Sequence, residues 1–290
     1  MMRRRKPFAG MALVELMVAL AIGLLLILAS AALLLATRSA YLLHDDRARI
    51  EESGRYAIDL ISRAVRQAGY RDWSAAGAGG GAPAPVSGLD AQALRDATDG
   101  IAGPYGGAVN GSDVLALRFD GSGDASMHNC AGIAVAADEA GGGWSIFYVA
   151  KDSGGEPELR CKYRGSRGWN SEALVRGIED FQVLYGIESE GDGMPRRYVS
   201  ATVLDRDAAS QPDLWQSVAA VKIALLVRGT QRNLDGGQRY DLFGAGYTNA
   251  GGPDPGVHID EAQLPAASRG LTRSLYAATI HLRNRGGGAR

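Results

Sequence analysis

Glu15 is the one charged side chain between residues 7 and 37, and it stands at the mouth of a long apolar run: Leu16 to Thr37 follow it as 22 uncharged residues. A carboxylate near a bilayer centre costs about 2.5–3.5 kcal/mol, less toward the interface, so one kept there marks a partner charge. Its chemistry would be pairing with an amine. Cys130 and Cys161, 31 residues apart, could close a disulfide, although spacing alone does not fix the Cα separation a bridge needs and leaves two free thiols open. Glu188, Glu190, Asp192 and Gly193 resemble the first half of a calcium loop, with acids at alternate positions before a glycine. The position where a bidentate glutamate should close such a loop is Val199, so we read a solvated turn and assign no metal ligands. His44, His128, His258 and His281 are scattered and read as surface or structural residues. The sequence has no G-x-S-x-G elbow, no phosphate loop and no H-E-x-x-H helix, so we expect no catalytic residues, no cofactor and no enzyme activity.

The elements that position these residues begin at the N-terminus. Arg3, Arg4, Arg5 and Lys6 precede the apolar run with no acid among them. That asymmetry places the N-terminus on the cytoplasmic side and everything after Arg38 across the membrane. As a helix, Leu16 to Thr37 would span roughly 33 Å, enough for one crossing. It is too long for a secretory h-region and lacks a small-residue cleavage site, so it should stay on the protein. Beyond it, Leu43, Ile50, Gly54, Ala57, Ile61, Ala64 and Ala68 recur at helical spacing, with charged residues on the other faces. Gly69 is a natural stop, and the pattern predicts one helix from Met11 to Gly69.

Composition bounds the rest. The chain has 290 residues, 46% hydrophobic, with a net charge of −1, which excludes wholesale disorder and argues against an electrostatic nucleic-acid binder. Forty glycines are roughly twice the usual share, without the Gly-X-Y period of collagen. Residues 75–110 are Gly/Ala/Pro-rich and read as loop, with a short helix near Ala91 to Ala97. Strand-like runs follow at Val114–Phe119, Ile133–Ala137, Trp144–Val149, Leu159–Tyr163, Phe181–Tyr185, Val218–Val227 and Tyr276–Leu282. Phe181, Val183 and Tyr185 alternate along one strand face, as do Val221, Ile223 and Leu225. The connections are too short for crossover helices, so the class is α+β, a long helix packed on an antiparallel sheet with long Gly-rich loops.

Gly10 followed by MALVELMVALAIG resembles the type IV prepilin signal, in which a short basic leader and a glycine precede an apolar residue and a glutamate at the fifth mature position. Met11 and Ala12 replace the commoner Phe and Thr, and the proline often found further along this helix is missing. Leu174–Gly193, Ser217–Gly229 and Ala278–Arg285 resemble, in the same order, blocks of the PilW family of minor pilins. The resemblance implies a pilin-like fold, with residues 1–10 as leader, 11–69 as the helix (11–37 its membrane and pilus-core part) and 70–290 as the globular domain. It implies cleavage after Gly10 by prepilin peptidase and methylation of Met11, with Glu15 meeting the free amine of a neighbouring subunit inside the fibre. Loss of the leader removes four positive charges and leaves −5. The implied partners are other minor pilins, the major pilin, prepilin peptidase and the inner membrane before assembly, with no nucleic acid. The implied work is type IV pilus assembly or initiation, serving twitching motility and adhesion at the cell surface. A minor pseudopilin of a type II secretion system shares these features, and a membrane-anchored periplasmic enzyme or binding protein would use the helix only as an anchor. In the translocated compartment a Cys130–Cys161 disulfide would persist.

Overall fold

The structure is a computed structural model that describes residues 13–72, 83–137, 141–232, 237–250 and 254–284. The expected leader, with Gly10 and Met11, lies outside the described residues, as do part of the 75–110 glycine run and Arg285 at the end of the third PilW-like block. The chain divides into two compact units, Met1–Asp46 and Arg47–Arg290.

Helix α1 covers Leu13–Gln67, and its first part makes up the described residues of the first unit. Leu, Ala and Met dominate it and no proline interrupts it, so nothing in the sequence breaks the hydrogen-bond ladder. In the second unit its end is defined sharply. Gly69 adopts φ +74° and donates its N–H to the Arg118 carbonyl at 2.8 Å, while a Cβ there would lie 1.9 Å from the Asn284 carbonyl oxygen. The Asn284 side-chain amide reaches the carbonyls of Arg66, Gln67 and Ala68, which the helix end leaves without partners.

The rest of the second unit is built on two antiparallel sheets. The first contains β1 (Val86–Leu89), β4 (Val114–Phe119), β5 (Gly143–Lys151), β6 (Pro157–Gly165) and β7 (Gly168–Arg176), in the order β1-β4-β5-β6-β7. The small pair β2 (Gln92–Ala93) and β3 (Gly106–Gly107) lies in the β1–β4 connection. The second sheet has the order β13-β10-β8-β9, from β8 (Ile178–Ile187), β9 (Arg197–Val199), β10 (Val218–Arg232) and β13 (Leu271–His281). Between β9 and β10 lies helix α2 (Ala201–Ala208). Strands β11 (Arg239–Asp241) and β12 (His258–Asp260) pair with each other, and α3 (Ala245–Asn249) sits between them. Gly177 alone carries the chain from β7 of one sheet to β8 of the other, at φ +81°, where a Cβ would stand 2.8 Å from the Arg228 carbonyl oxygen.

The main core is shared by the helix and both sheets. Across the second sheet, Tyr185, Val221 and Ile280 are in register, as are Val183, Ile223 and Ala278, and Phe181, Leu225 and Tyr276. This face packs with Leu115, Leu117, Phe147, Val149 and Leu159 of the first sheet and with Ile50, Ala57, Ile61, Val65 and Ala68 of α1. The α1 stripe is the one its sequence spacing indicates, with Val65 added; Leu43, the first member of that spacing, is exposed in the other unit. The outward faces are covered too. Leu94, Val114, Ala116, Ile146 and Tyr148 form a second cluster, and Ala224, Leu226, Leu242, Ile259 and Leu264 a third.

The expected α+β class, a long helix with antiparallel β-structure, stands, with two main sheets because the one-residue Gly177 link turns the chain out of the first. Two expectations are corrected. Ile133–Ala137 is not a strand: only Ala134 makes a bridge, to His128, because the Asn129 side chain takes the N–H groups of Ala131 and Ile133 and curls the segment. Ala91–Ala97 is not a helix. Ala91 sits at φ +50°, its N–H donates to Asp113 Oδ1 at 3.0 Å, and Gln92–Ala93 pairs with Gly106–Gly107.

Candidate functional site

In the first unit, every residue from Leu13 to His44 is exposed except half-buried Gly23. α1 is long and apolar enough to cross a membrane, and its apolar stretch is not buried in the protein's own core. A surface of this size and composition is stable only against lipid or other apolar helices. The hydroxyls along it turn back on the helix: Ser30 donates to Leu26 O at 2.7 Å, Thr37 to Leu34 O at 2.9 Å and Ser39 to Ala36 O at 2.9 Å. Each is thereby satisfied without water, as a hydrocarbon environment demands. Glu15, in the first turn, is the one ionisable side chain between Leu13 and Thr37. Carboxylates at a helix N-terminus are favoured by its dipole, and a cationic partner at that level would meet the one charge of the Leu13–Thr37 stretch.

In the second unit the remaining sequence candidates fall on structural duties. Cys130, in the loop after β4, is bonded to Cys161 on β6 with their Cα atoms 5.9 Å apart, and the Cys130 N–H donates to Ser145 Oγ at 2.9 Å. The acids of the 188–193 turn hold the turn itself: Glu188 Oε1 accepts the Gly193 N–H and Asp192 Oδ1 the Met194 N–H. Arg196 bridges Glu190 and Asp192, at 2.6 Å each, and Arg197 pairs with Asp207 at 3.1 Å. His128, His258 and His281 lie on the 120–137 loop, β12 and β13, and His44 on α1 in the first unit; the His128 ring Nδ1 is 3.0 Å from the Ser126 carbonyl oxygen.

The structure also assembles a group that sequence reading missed. Asp90, Asp113 and Asp254 place one carboxylate oxygen each within 4.8 Å of the others, and they are 8%, 1% and 8% exposed. Asp90 accepts the N–H groups of Ala201 and Thr202, both at 2.8 Å, at the start of α2. Asp113 accepts those of Ala91 and Val183, and Asp254 Oδ2 accepts the Tyr247 hydroxyl at 2.9 Å. Burial, then the Asp90 charge, raises the Asp113 carboxyl well above its usual range, and burial pushes Asp254 up to about 6. A shared signal was available. All three aspartates end a Gly-x-Asp triplet, at Gly88-Leu89, Gly111-Ser112 and residues 252–253, but such triplets are too common in Gly-rich loops to stand out.

Comparison with known proteins gives two family matches. Residues 146–284 match the family described as "Type IV Pilus-assembly protein W", and residues 5–31 match the "Prokaryotic N-terminal methylation motif". Among solved structures, the chain is similar to the type IV-like pilin TTHA1219 from Thermus thermophilus at 15% identity and a TM-score of 0.36, covering 84% of this chain and 97% of that one. Curated protein sequences give no match.

Proposed function

We propose, for a chain that matches the type IV pilus-assembly protein W family over residues 146–284 and an N-terminal methylation motif over residues 5–31, the following working cycle as a minor pilin. The chain inserts through Leu16 to Thr37 with its basic leader on the cytoplasmic side and its 47–290 unit across the inner membrane. Prepilin peptidase removes residues 1–10 after Gly10, and Met11 is methylated. Assembly then exchanges lipid contacts of α1 for contacts with the helices of the major pilin and other minor pilins. Glu15 pairs with the amine of a neighbour's first residue and sets the axial register, a role single buried polar groups play in helix bundles. The subunit acts in pilus initiation, and through it in twitching and adhesion, as a structural protein and not a catalyst.

The observation that carries this reading is a prepilin-type glycine and glutamate in front of a helix whose apolar surface is exposed from Leu13 onward. The test is intact mass and N-terminal sequencing of the protein from cells with and without active prepilin peptidase. A chain beginning at methylated Met11 only when the peptidase is present is the expected result. A chain retaining residues 1–10 in both strains would reduce α1 to a plain anchor and overturn the proposal.

A further inference from the structure

We propose that Asp90, Asp113 and Asp254 form a calcium site that ties the loops around β1, β4 and β12 together. Three buried carboxyl groups with oxygens within 4.8 Å of one another must take up either protons or a cation. Among the described residues, no arginine or lysine forms an ion pair with any of the three. Backbone N–H groups donate to both Asp90 and Asp113, two bonds each, and so fix them as acceptors in a site that burial makes costly for charge. A cation reconciles the two demands.

One carboxylate oxygen of the trio, and one hydroxyl next in sequence to the N–H groups that hold Asp90, lack a hydrogen-bond partner. Asp254 Oδ1 is buried and has no hydrogen-bond partner, although its sister oxygen takes the Tyr247 hydroxyl. Ser200, 2% exposed and directly before the Ala201 and Thr202 N–H groups that hold Asp90, has an Oγ that is likewise buried without a partner. Orphaned buried oxygens of this kind cost about 1–3 kcal/mol each unless something fills their lone pairs. All the groups are oxygens, with no thiolate or imidazole among them, which selects a hard cation over zinc or copper. Calcium bonds of about 2.3–2.6 Å let one ion touch oxygens up to roughly 5 Å apart, with water completing a loose shell of six to eight. Magnesium, at about 2.0–2.1 Å, demands near-ideal octahedral geometry and gives up its waters reluctantly, so a cluster of protein oxygens suits it less well.

The experiment titrates full-length protein in detergent, first stripped with EDTA, with calcium chloride by calorimetry, alongside thermal unfolding and terbium luminescence sensitised through tyrosine. Saturable binding of one calcium ion and a rise in unfolding temperature are expected, with magnesium at least tenfold weaker. Asp254→Asn removes a charge whose free oxygen carries no structural hydrogen bond, so the variant should fold, bind calcium at least tenfold more weakly and lose most of the terbium signal. Asp124→Asn, at an exposed acid outside the trio, should bind as the parent does. Absence of calcium binding by the folded parent would overturn the site. So would an Asp254→Asn variant that binds as tightly as the parent, or equal loss in Asp124→Asn, which would mark nonspecific binding to surface acids.

Discussion

Arg273 on β13 has a fully buried side chain and holds two buried acids at once. Its Nε lies 2.5 Å from Glu179 Oε2 on β8, and its Nη1 3.0 Å from Glu261 Oε1. Burial pushes the Glu261 carboxyl up, but N–H groups of Gln238, Gly270 and Gly237, together with Arg273, outweigh it and hold the group below its usual range. Arg273→Ala would leave both carboxylates buried without their fork, and removing one partner from such a network costs about 3–5 kcal/mol. Chemical denaturation should show that loss, and a change below 1 kcal/mol would mean Arg228, 3.3 Å from Glu179, compensates. Asp180 is the opposite case. Among the described residues it has no cation; it accepts from Ser112 Oγ, the Phe181 N–H and Gln182 Nε2, and is pushed by burial up to about 8, with the Glu179 charge adding. The folded state then keeps a proton that the unfolded chain releases near its ordinary value of 3.8. Its stability contribution is present below about pH 4 and is lost as pH rises toward about 8. Asp180→Asn should flatten the fall in unfolding midpoint between pH 5 and pH 8, and an unchanged slope would show that Asp180 is ionised throughout.

At the scale of elements, two joints carry the second unit, and each has a test. Gly54 is where α1 meets β13: a Cβ there would lie 2.4 Å from ring carbons of Tyr276. Gly54→Ala should therefore destabilise by about 1–3 kcal/mol, as overpacking does. In a Tyr276→Ala background the same change should cost far less, which distinguishes a steric joint from a helix-propensity effect, since alanine is the better helix former. The second joint is the Cys130–Cys161 bond between the 120–137 loop and β6. Opening a loop of that length should cost about 3–4 kcal/mol, read as a lower denaturation midpoint for Cys130→Ser under oxidising conditions and no difference from the parent under reduction. These joints mark what sequence could and could not disclose. The α1 stripe and the strands β4, β5, β6, β8, β10 and β13 follow from local periodicity, which is why Val114–Phe119 is seen with its own boundaries. The second sheet's far face was hidden because Asp180 and Gln182 look like a solvent face, yet β8 is buried throughout, and these two side chains meet Ser112 and Gly111 of the segment before β4. Burial of polar residues is decided by loops arriving from distant sequence, and so is the convergence of Asp90, Asp113 and Asp254, whose spacings follow no local period.

At the scale of the whole molecule, the two units solve opposite problems. The 47–290 unit buries its apolar side chains in clusters shared by sheets and helix, while the stretch from Leu13 to Thr37 keeps its apolar side chains on the surface and satisfies its hydroxyls internally. Hydrophobicity alone then holds that stretch equally well in lipid or among other apolar helices, and it cannot choose between axial positions, because Leu and Ala repeat all along it. A single charge can choose. If Glu15 sets register, its contribution is to assembly and not to insertion, since an acid in the first turn lies near the interface, where its cost is small. Glu15→Ala should leave the protein in the membrane pellet after alkaline carbonate extraction, at parental abundance, and should leave leader cleavage intact. The same variant should be depleted from sheared surface fibres by an order of magnitude or more. Glu15→Asp, which keeps the charge on a shorter stem, should recover part of that loss, as expected of a charge pair and not of packing. Parental levels of Glu15→Ala in the fibres would remove the register role and leave the apolar surface as the whole of what α1 contributes.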